Sequence, residues 1–304
     1  MANSIELFKK YVPLLDEVYK LSSLTSDLDG APELARQGQN VNEMIIPKID
    51  MNGLANYSRN SGYVDGDVTF TNETVKCNFD RGRMFTVDTL DNIETAMMAF
   101  GRLASEFIRV KVTPELDAFR FATYASISGI GTVDAAALST GANVITALRA
   151  AVNAMDEAEV PSTERYLYIT PTLLGLVKDL DTTKSKEVLD GFAKIVKVPQ
   201  SRFYTSIKQL SGKVETIPGQ SGGSSATDDQ TAGGFTKADG AKNINFMIIH
   251  KPAVIQYQKH VAPKVITPEQ NQDADAWKFG YRNVGIADAY ENKVAGIYLH
   301  KAAS

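Results

Sequence analysis

The sequence is poor in the residues on which several functional classes depend. Its only cysteine is Cys77 and it has 3 histidines among 304 residues. A single cysteine excludes an internal disulfide framework and a cysteine-based zinc site. No apolar run approaches the roughly 18 residues that a membrane-spanning helix needs. The N-terminal stretch also lacks the continuous apolar region of a signal peptide. We therefore expect a soluble protein, made in the cytoplasm, with no membrane partner.

Net charge is small as well. The 32 Lys and Arg residues against 36 Asp and Glu residues leave a formal charge of −4. This excludes a broadly basic nucleic-acid binder, although not a local basic face. Hydrophobic residues make up 43% of the chain, which excludes a disordered protein and predicts one large domain or two ordinary ones with a real core.

One catalytic pattern occurs, but in the wrong context. Residues 219–223 (GQSGG) match the G-x-S-x-G nucleophile elbow around Ser221. That motif requires a strand before the serine and a helix after it, whereas GSSATDDQTAGG follows here. An α/β serine hydrolase using Ser221 is therefore kept only as a remote alternative.

The remaining reactive side chains indicate packing more than chemistry. Cys77 falls in a predicted strand with no basic neighbour, so we interpret it as a small apolar residue and not as a catalytic thiolate. The histidines have no acidic partner at metal-ligand spacing, and we interpret them as packing or surface residues: they are His250, His260 and His300. The sequence thus predicts no enzyme, no cofactor and no metal.

A long two-stranded ribbon is predicted near the N-terminus. Residues 41–51 and 68–79 have strand-like patterns, and residues 52–67 between them are rich in turn-forming side chains. A lone ribbon is marginally stable in water. We therefore expect it to lie on another surface, for which a second copy of the chain is a candidate.

A long amphipathic helix should follow the ribbon. Asp91 and Glu94 fit a capping box, and apolar residues then recur at helical spacing to about residue 112. Pro114 either kinks or ends this helix, and residues 115–125 continue in the same direction in the first case. Such a helix must lie against a sheet or a neighbour.

The C-terminal half predicts an α/β layer. Residues 143–205 suggest helix, strand, helix and strand in turn, and residues 211–243 suggest a surface loop or mobile flap. The apolar segment 244–250 predicts a buried strand, which residues 253–257 extend past a proline. Residues 277–301 predict two strands around a turn.

Basic residues alternate with apolar ones around the start of the long helix. The pattern admits a solvated or ion-paired role and a weak anion-binding surface, and the sequence does not choose between them. The residues are Arg81, Arg83, Arg102, Arg109 and Lys111.

Several stretches of this sequence resemble one known family. They are DRGRMFTVDTLDNIETA (80–96), VTPELDAFRFATYA (112–125), KIVKVPQSRF (194–203), INFMIIHKPAVI (244–255) and DADAWKFGYRNVGIADAYENKVAGIYLHK (273–301). Together with the order of elements, they resemble the major capsid proteins of tailed bacteriophages, whose α+β fold is the Hong Kong 97-type, or HK97-like, fold. The last stretch is the most specific.

The resemblance implies a division of the chain into the parts of that fold. These are an N-arm at 1–40, an E-loop ribbon at 41–87, a peripheral domain with a long spine helix at 88–130 and 260–289, and an axial α/β domain at 131–259 and 290–304. Because no long helical segment precedes the arm, we expect a separate scaffold or none.

The resemblance also implies function. The chain would self-assemble as hexamers and pentamers into an icosahedral virion shell, formed in the host cytoplasm around double-stranded DNA that it contacts weakly. Portal and scaffolding proteins would be its partners. The alternative within this fold is an encapsulin-like bacterial compartment that holds cargo enzyme, which sequence does not separate from a phage capsid.

Candidate contacts between copies follow from this assignment. They are Lys48, Arg59, Asn60, Ser61, Arg81, Arg83 and Glu291. Some capsid proteins of this fold cross-link an E-loop lysine to a neighbour's asparagine beside a glutamate. Lys48, Asn292 and Glu291 are of the right types, but no motif connects them, so we do not predict that bond.

Overall fold

The computed structural model describes residues 23–30, 36–37, 43–60, 62–89, 106–134, 138–217 and 226–303. The helices in this part of the chain are α1 (Thr113–Ser126), α2 (Gly141–Glu157), α3 (Pro171–Lys178) and α4 (Thr183–Asp190). The strands are β1 (Arg36–Gln37), β2 (Glu43–Met51), β3 (Val68–Lys76), β4 (Phe79–Asp88), β5 (Gly131–Asp134), β6 (Arg165–Ile169), β7 (Lys194–Lys197), β8 (Ile207–Gln209), β9 (Val214–Ile217), β10 (Ala226–Asp229), β11 (Phe235–Lys237), β12 (Ile244–His250), β13 (Val254–Ile266), β14 (Ala276–Ala289) and β15 (Ile297–Lys301).

A five-stranded mixed sheet forms one centre of the fold, in the order β5-β15-β12-β6-β7. Strand β12 is antiparallel to both β15 and β6, while β5 and β7 add in parallel at the two edges. The central strands are almost continuously apolar, as strands covered on both faces must be. This sheet is the α/β layer predicted from residues 143–205.

Side chains of this sheet alternate between two separate cores. Tyr168, Met247 and Leu299 pack with α1 on one face. Leu167 and Ile248 lie on the other face with helices α2, α3 and α4. Each large apolar side chain buried in this way contributes about 1.5–3 kcal/mol. Helix α4 was missed from sequence, although Thr182 and Ser185 form a capping box at its start.

A second, antiparallel sheet has the order β13-β14-β4. Strand β4 pairs with β14 over its whole length, from Phe79 opposite Gly285 to Asp88 opposite Ala276. The predicted extension of the 244–250 strand is wrong. A 3-10 turn at Lys251–Ala253 carries the chain out of the first sheet, and β13 begins the second.

Helix α1 connects the two sheets. A π-helical turn at Ile108–Val112 leads directly into it, and Pro114 lies in its first turn. The helix therefore continues past the proline, as one of the two sequence interpretations held. Leu116 packs on the second sheet and Phe121 on the first. The predicted helix start at Asp91 and Glu94 lies outside the described residues.

The segment 211–243 is more ordered than its composition suggested. Strands β9 and β10 pair with each other, and β11 pairs with β8. The prediction of one long loop is wrong for these residues, because the strands are short and polar and give no apolar alternation. Residues 218–225, including Ser221, lie outside the described part.

Two histidines belong to the interior. His300 stacks on Phe246 with ring centroids 4.7 Å apart and lies 3.2 Å from the side-chain amide of Asn245. Burial lowers the pKa of His300 and of His250 below the ordinary 6.5. The folded state therefore binds fewer protons than the unfolded chain, so stability is lost as the pH falls below about 6.5.

We accordingly expect the melting temperature to drop between about pH 7.5 and about pH 5.5, and to drop less in His300→Gln. Calorimetry at several pH values measures both slopes. His260→Gln is the control, since that side chain is exposed, and its slope should match the parent protein. Equal slopes in all three proteins would contradict the assignment.

Candidate inter-subunit surfaces

The ribbon predicted from sequence is present and is anchored at its base. Strands β2 and β3 pair in antiparallel register from Glu43 opposite Lys76 to Met51 opposite Val68. Val75 at the base is buried with Ile255 and Ile286. The strand ends at residue 76, earlier than the predicted 79, because the chain then turns into β4.

Asn78 makes that turn specific. Its side-chain amide donates to the carbonyl of Ala287 at 2.7 Å, and its side-chain oxygen accepts from the Ala287 N–H at 3.1 Å. The side chain thus replaces a strand neighbour between β3 and β4. Cys77 beside it is half-buried, and burial raises the pKa of its thiol, which fits the predicted packing role.

An ion pair also holds the ribbon base. Lys48 lies 2.5 Å from the Glu291 carboxylate in the turn between β14 and β15, and this hydrogen bond raises the pKa of Lys48. Burial and the nearby Glu291 raise the pKa of Glu73. Two predicted contact residues, Lys48 and Glu291, therefore meet within one chain.

Beyond its base, one face of the ribbon is apolar and exposed. The register places Ile49 opposite Phe70 and Met51 opposite Val68, so all four share a face. Their exposures are 47%, 74%, 61% and 57% respectively. The opposite face carries Lys48, Asp50, Thr69 and Thr71. We call the first set the ribbon apolar face.

The ribbon tip continues the apolar surface. Exposed large side chains there are Leu54, Tyr57, Tyr63 and Val64. The Tyr57 and Tyr63 rings meet edge to face with centroids 4.9 Å apart. Arg59 and Asn60 are exposed in the terminal turn, which a bridge between Ser58 and Gly62 closes. Ser61 lies outside the described residues.

Arg81 and Arg83 make contacts within the subunit. The Arg81 guanidinium donates to Glu115 at 2.7 Å and to the carbonyls of Leu210 and Gly234 at 2.8 and 3.2 Å. Arg83 donates to the carbonyls of Thr231 and Ala232 at 2.9 and 3.2 Å. The two arginines connect β4 to the hairpins at 207–237. Of the other basic residues, Arg109 pairs with Glu106, and Arg102 lies outside the described residues.

These contacts predict a local stability effect. Arg81→Ala removes three hydrogen bonds, two of them to carbonyls that it alone reaches from β4, and we expect a loss of about 2–3 kcal/mol. Hydrogen exchange should increase across 207–217 and 226–237. Arg59→Ala, at the exposed tip, is the control and should leave exchange unchanged. Unaltered exchange in Arg81→Ala would refute this role.

A buried polar network fixes the segment 23–30 on helix α1. Asp117 is fully buried. It accepts hydrogen bonds from the Ser23 hydroxyl, the Leu24 N–H and the Thr25 hydroxyl at 2.9, 3.1 and 2.8 Å, and from Arg202 at 3.3 Å. No sequence motif pointed to this network.

Arg120 and Gln256 extend the network. Arg120, also buried, donates to the Thr25 hydroxyl and pairs with Asp29. The Gln256 amide donates to the Thr25 carbonyl and to Asp29 at 2.6 and 2.7 Å. The segment 23–30 is therefore attached to the core at both ends of its short 3-10 turn.

Enzymatic features are sparse in the described part of the chain. No cluster of three or more His, Cys, Asp and Glu side chains able to hold a metal occurs there. The motif around Ser221 falls between the antiparallel strands β9 and β10, where a nucleophile elbow would need a helix to follow. None of the helices described is long and apolar enough to cross a membrane.

Comparison with known proteins shows the fold. Neither a protein-family model nor a curated protein matches the sequence. A virus-like particle from Pyrococcus furiosus is 11% identical, with a TM-score of 0.57 over 96% of this chain and 98% of that one. The mature capsid of bacteriophage PhiM1 is 13% identical, with a TM-score of 0.55 over 87% and 83%. The capsid of cyanophage P-SCSP1u is 12% identical, with a TM-score of 0.54 over 88% and 86%. The chain therefore has the fold of phage capsid and virus-like-particle proteins, which confirms the α+β capsid fold predicted from sequence.

Proposed function

We propose that this chain is the major capsid protein of a tailed bacteriophage. It assembles as hexamers and pentamers into an icosahedral shell around double-stranded DNA, and it does so without enzymatic activity. The observation that carries the proposal is the ribbon apolar face on a capsid fold. A neighbouring copy supplies the surface that covers this face.

The exposed area argues for such a partner. Soluble monomers seldom expose contiguous apolar surface of this kind, and a two-stranded ribbon is marginal alone. Covering a side chain such as Phe70 stabilises the contact by about 1.5–3 kcal/mol before the cost of ordering is subtracted. Several such side chains on one projecting arm are enough for a repeated contact between copies.

The parts of the chain keep the roles expected from the resemblance. Residues 1–40 form the N-arm and 41–87 the E-loop, whose ribbon crosses to the neighbour. Residues 88–130 with 260–289 form the peripheral domain, and 131–259 with 290–304 the axial domain. The contact candidates at the tip are Arg59, Asn60 and Ser61, whereas Lys48, Glu291, Arg81 and Arg83 support the elements that present it. Portal and scaffolding proteins and weakly held DNA complete the particle, which assembles in the host cytoplasm.

Removal of the ribbon end tests the proposal. We expect deletion of residues 53–66, replaced by a short Gly-Ser connection, to leave a soluble folded subunit that forms no closed shells. The core does not depend on these residues, because they are all exposed or partly exposed where described. Negative-stain electron microscopy and sedimentation of both proteins, expressed with their neighbouring genes, measure the result. Normal shells from the deletion protein would refute the role of the ribbon.

An encapsulin-like compartment is the second candidate. The likeness to the Pyrococcus furiosus virus-like particle over nearly the whole of both chains favours it as an alternative. The content of purified particles separates the two. Nuclease-protected double-stranded DNA of uniform length supports the capsid, whereas a stoichiometric cargo enzyme without DNA supports the compartment.

The remote hydrolase alternative has its own test. A serine-directed fluorophosphonate should not label Ser221, and Ser221→Ala should assemble like the parent protein. Labelling that the alanine variant abolishes would favour the hydrolase.

A further inference from the structure

A cavity lies between three parts of the molecule. Its walls are the inner face of β4 and β14, the helical turn that leads into α1, and the loops of the hairpins that Arg81 and Arg83 hold. Its volume is about 630 Å³, within the range of about 300–1,000 Å³ that small-molecule sites occupy.

Aromatic rings make up much of its lining. Phe79, Phe85, Phe107 and Tyr281 all line the cavity. The Phe85 and Phe107 rings meet edge to face with centroids 4.8 Å apart, and Phe107 and Tyr281 do so at 6.2 Å. Ring faces held in this way offer stacking and edge contacts to a planar ligand.

One polar side chain in the lining is unusual. Asn283, on β14, is 1% exposed. Neither its side-chain nitrogen nor its oxygen has a hydrogen-bond partner among the residues that the structure describes. Arg81, its cross-strand neighbour, is in contrast committed to Glu115 and two carbonyls.

An unpaired buried amide is costly. A donor or acceptor left unsatisfied in the interior costs about 1–3 kcal/mol, and such groups are rare in native proteins. A primary amide presents a donor and an acceptor side by side. It therefore pairs best with a ligand that presents the complementary pair on one edge.

We propose that this cavity binds a small planar ring compound with an adjacent hydrogen-bond donor and acceptor on one edge. The rings of Phe107 and Tyr281 hold the ligand ring, and the Asn283 amide forms two hydrogen bonds to its polar edge. A carboxamide and a nucleobase share this chemistry. Binding is independent of shell formation, so the inference stands apart from the proposed function.

Titration of the full-length protein with benzamide, adenine and ethylbenzene tests the inference. Saturation-transfer NMR, which works for subunits and for large particles, reports the affinity of each compound. We expect benzamide or adenine to bind at least about ten-fold more tightly than ethylbenzene, because two hydrogen bonds of about 1 kcal/mol each distinguish them. The two polar probes separate the carboxamide from the nucleobase source. Absence of binding by both would overturn the proposal.

Two variants localise the site. Asn283→Leu should weaken the tighter polar probe about ten- to thirty-fold while ethylbenzene binding persists. Val110→Trp places a large ring at the cavity wall from an exposed position, so it should fold normally and abolish binding of all three compounds. Asn153→Leu, on the exposed side of α2, is the control. Unchanged affinity of the polar probe in both cavity variants would overturn the proposal.

Discussion

Phe70→Lys should abolish shell assembly while leaving the subunit folded. Phe70 is 74% exposed at the centre of the ribbon apolar face, opposite Ile49, so its replacement removes no core contact. In an assembled shell the same position would place an unpaired ammonium group in an apolar contact. That costs several kcal/mol at every copy of the interface. Because a shell repeats the contact many times, we expect no closed particles by electron microscopy.

Thr69→Lys is the matched control for this variant. It adds the same charge at the adjacent position, on the polar face of the ribbon and opposite Asp50, where an opposite-charge pair is mildly favourable. We expect it to assemble like the parent protein, and both variants to melt within about 1–2 °C of it, as exposed substitutions do. Normal shells from Phe70→Lys, or equal failure of both variants, would contradict the assignment of the apolar face.

Asp117→Ala should be the most destabilising single substitution in the polar network. The fully buried carboxylate accepts hydrogen bonds from Ser23, Leu24 and Thr25 and pairs with Arg202. Its removal leaves a guanidinium group and several donors without their partner. We expect a loss of about 3–5 kcal/mol, which for a chain of this size lowers the melting temperature by about 6–15 °C.

Hydrogen exchange then identifies which part is released first. In Asp117→Ala the amides of 23–30 should exchange far below global stability, because that segment loses its main attachment to α1. Asp27→Ala is the control within the same segment. Its carboxylate pairs only with the partly exposed Lys194 among the contacts described, and such pairs are worth about 1 kcal/mol or less. Protection of 23–30 that is equal in the two variants would show that Asp117 is not the anchor.

Strong local patterns could be predicted from the sequence. The ribbon, strand β6, helix α2 and the two C-terminal strands follow from alternation, helical periodicity and turn residues, and the structure has them close to the predicted positions. The elements missed or wrong are those with weak local signals. Helix α4 is short and polar, β5 lies in a small-residue stretch, and β8 to β11 have no apolar alternation.

The candidate site was predictable in place but not in detail. Turn residues in 52–67 located the ribbon tip, and the marginal stability of an isolated ribbon indicated a partner. Which face is apolar depends on the register of β2 against β3, since Ile49 and Phe70 meet only through that pairing. The internal contacts of Arg81 likewise join residues far apart in the chain, and spacing carries no signal for them.

The sequence by itself determined the composition class, the main strands and helices, the weakness of catalytic motifs and the resemblance to capsid proteins. These properties depend on neighbouring residues, whose propensities and periodicity act locally. Only the tertiary structure decided the partners of Asp117 and Arg81, the burial of Asn283 beside its cavity and the assignment of β12 and β13 to different sheets. Each of these depends on packing between distant segments, where burial and hydrogen-bond satisfaction over the whole fold outweigh local preference.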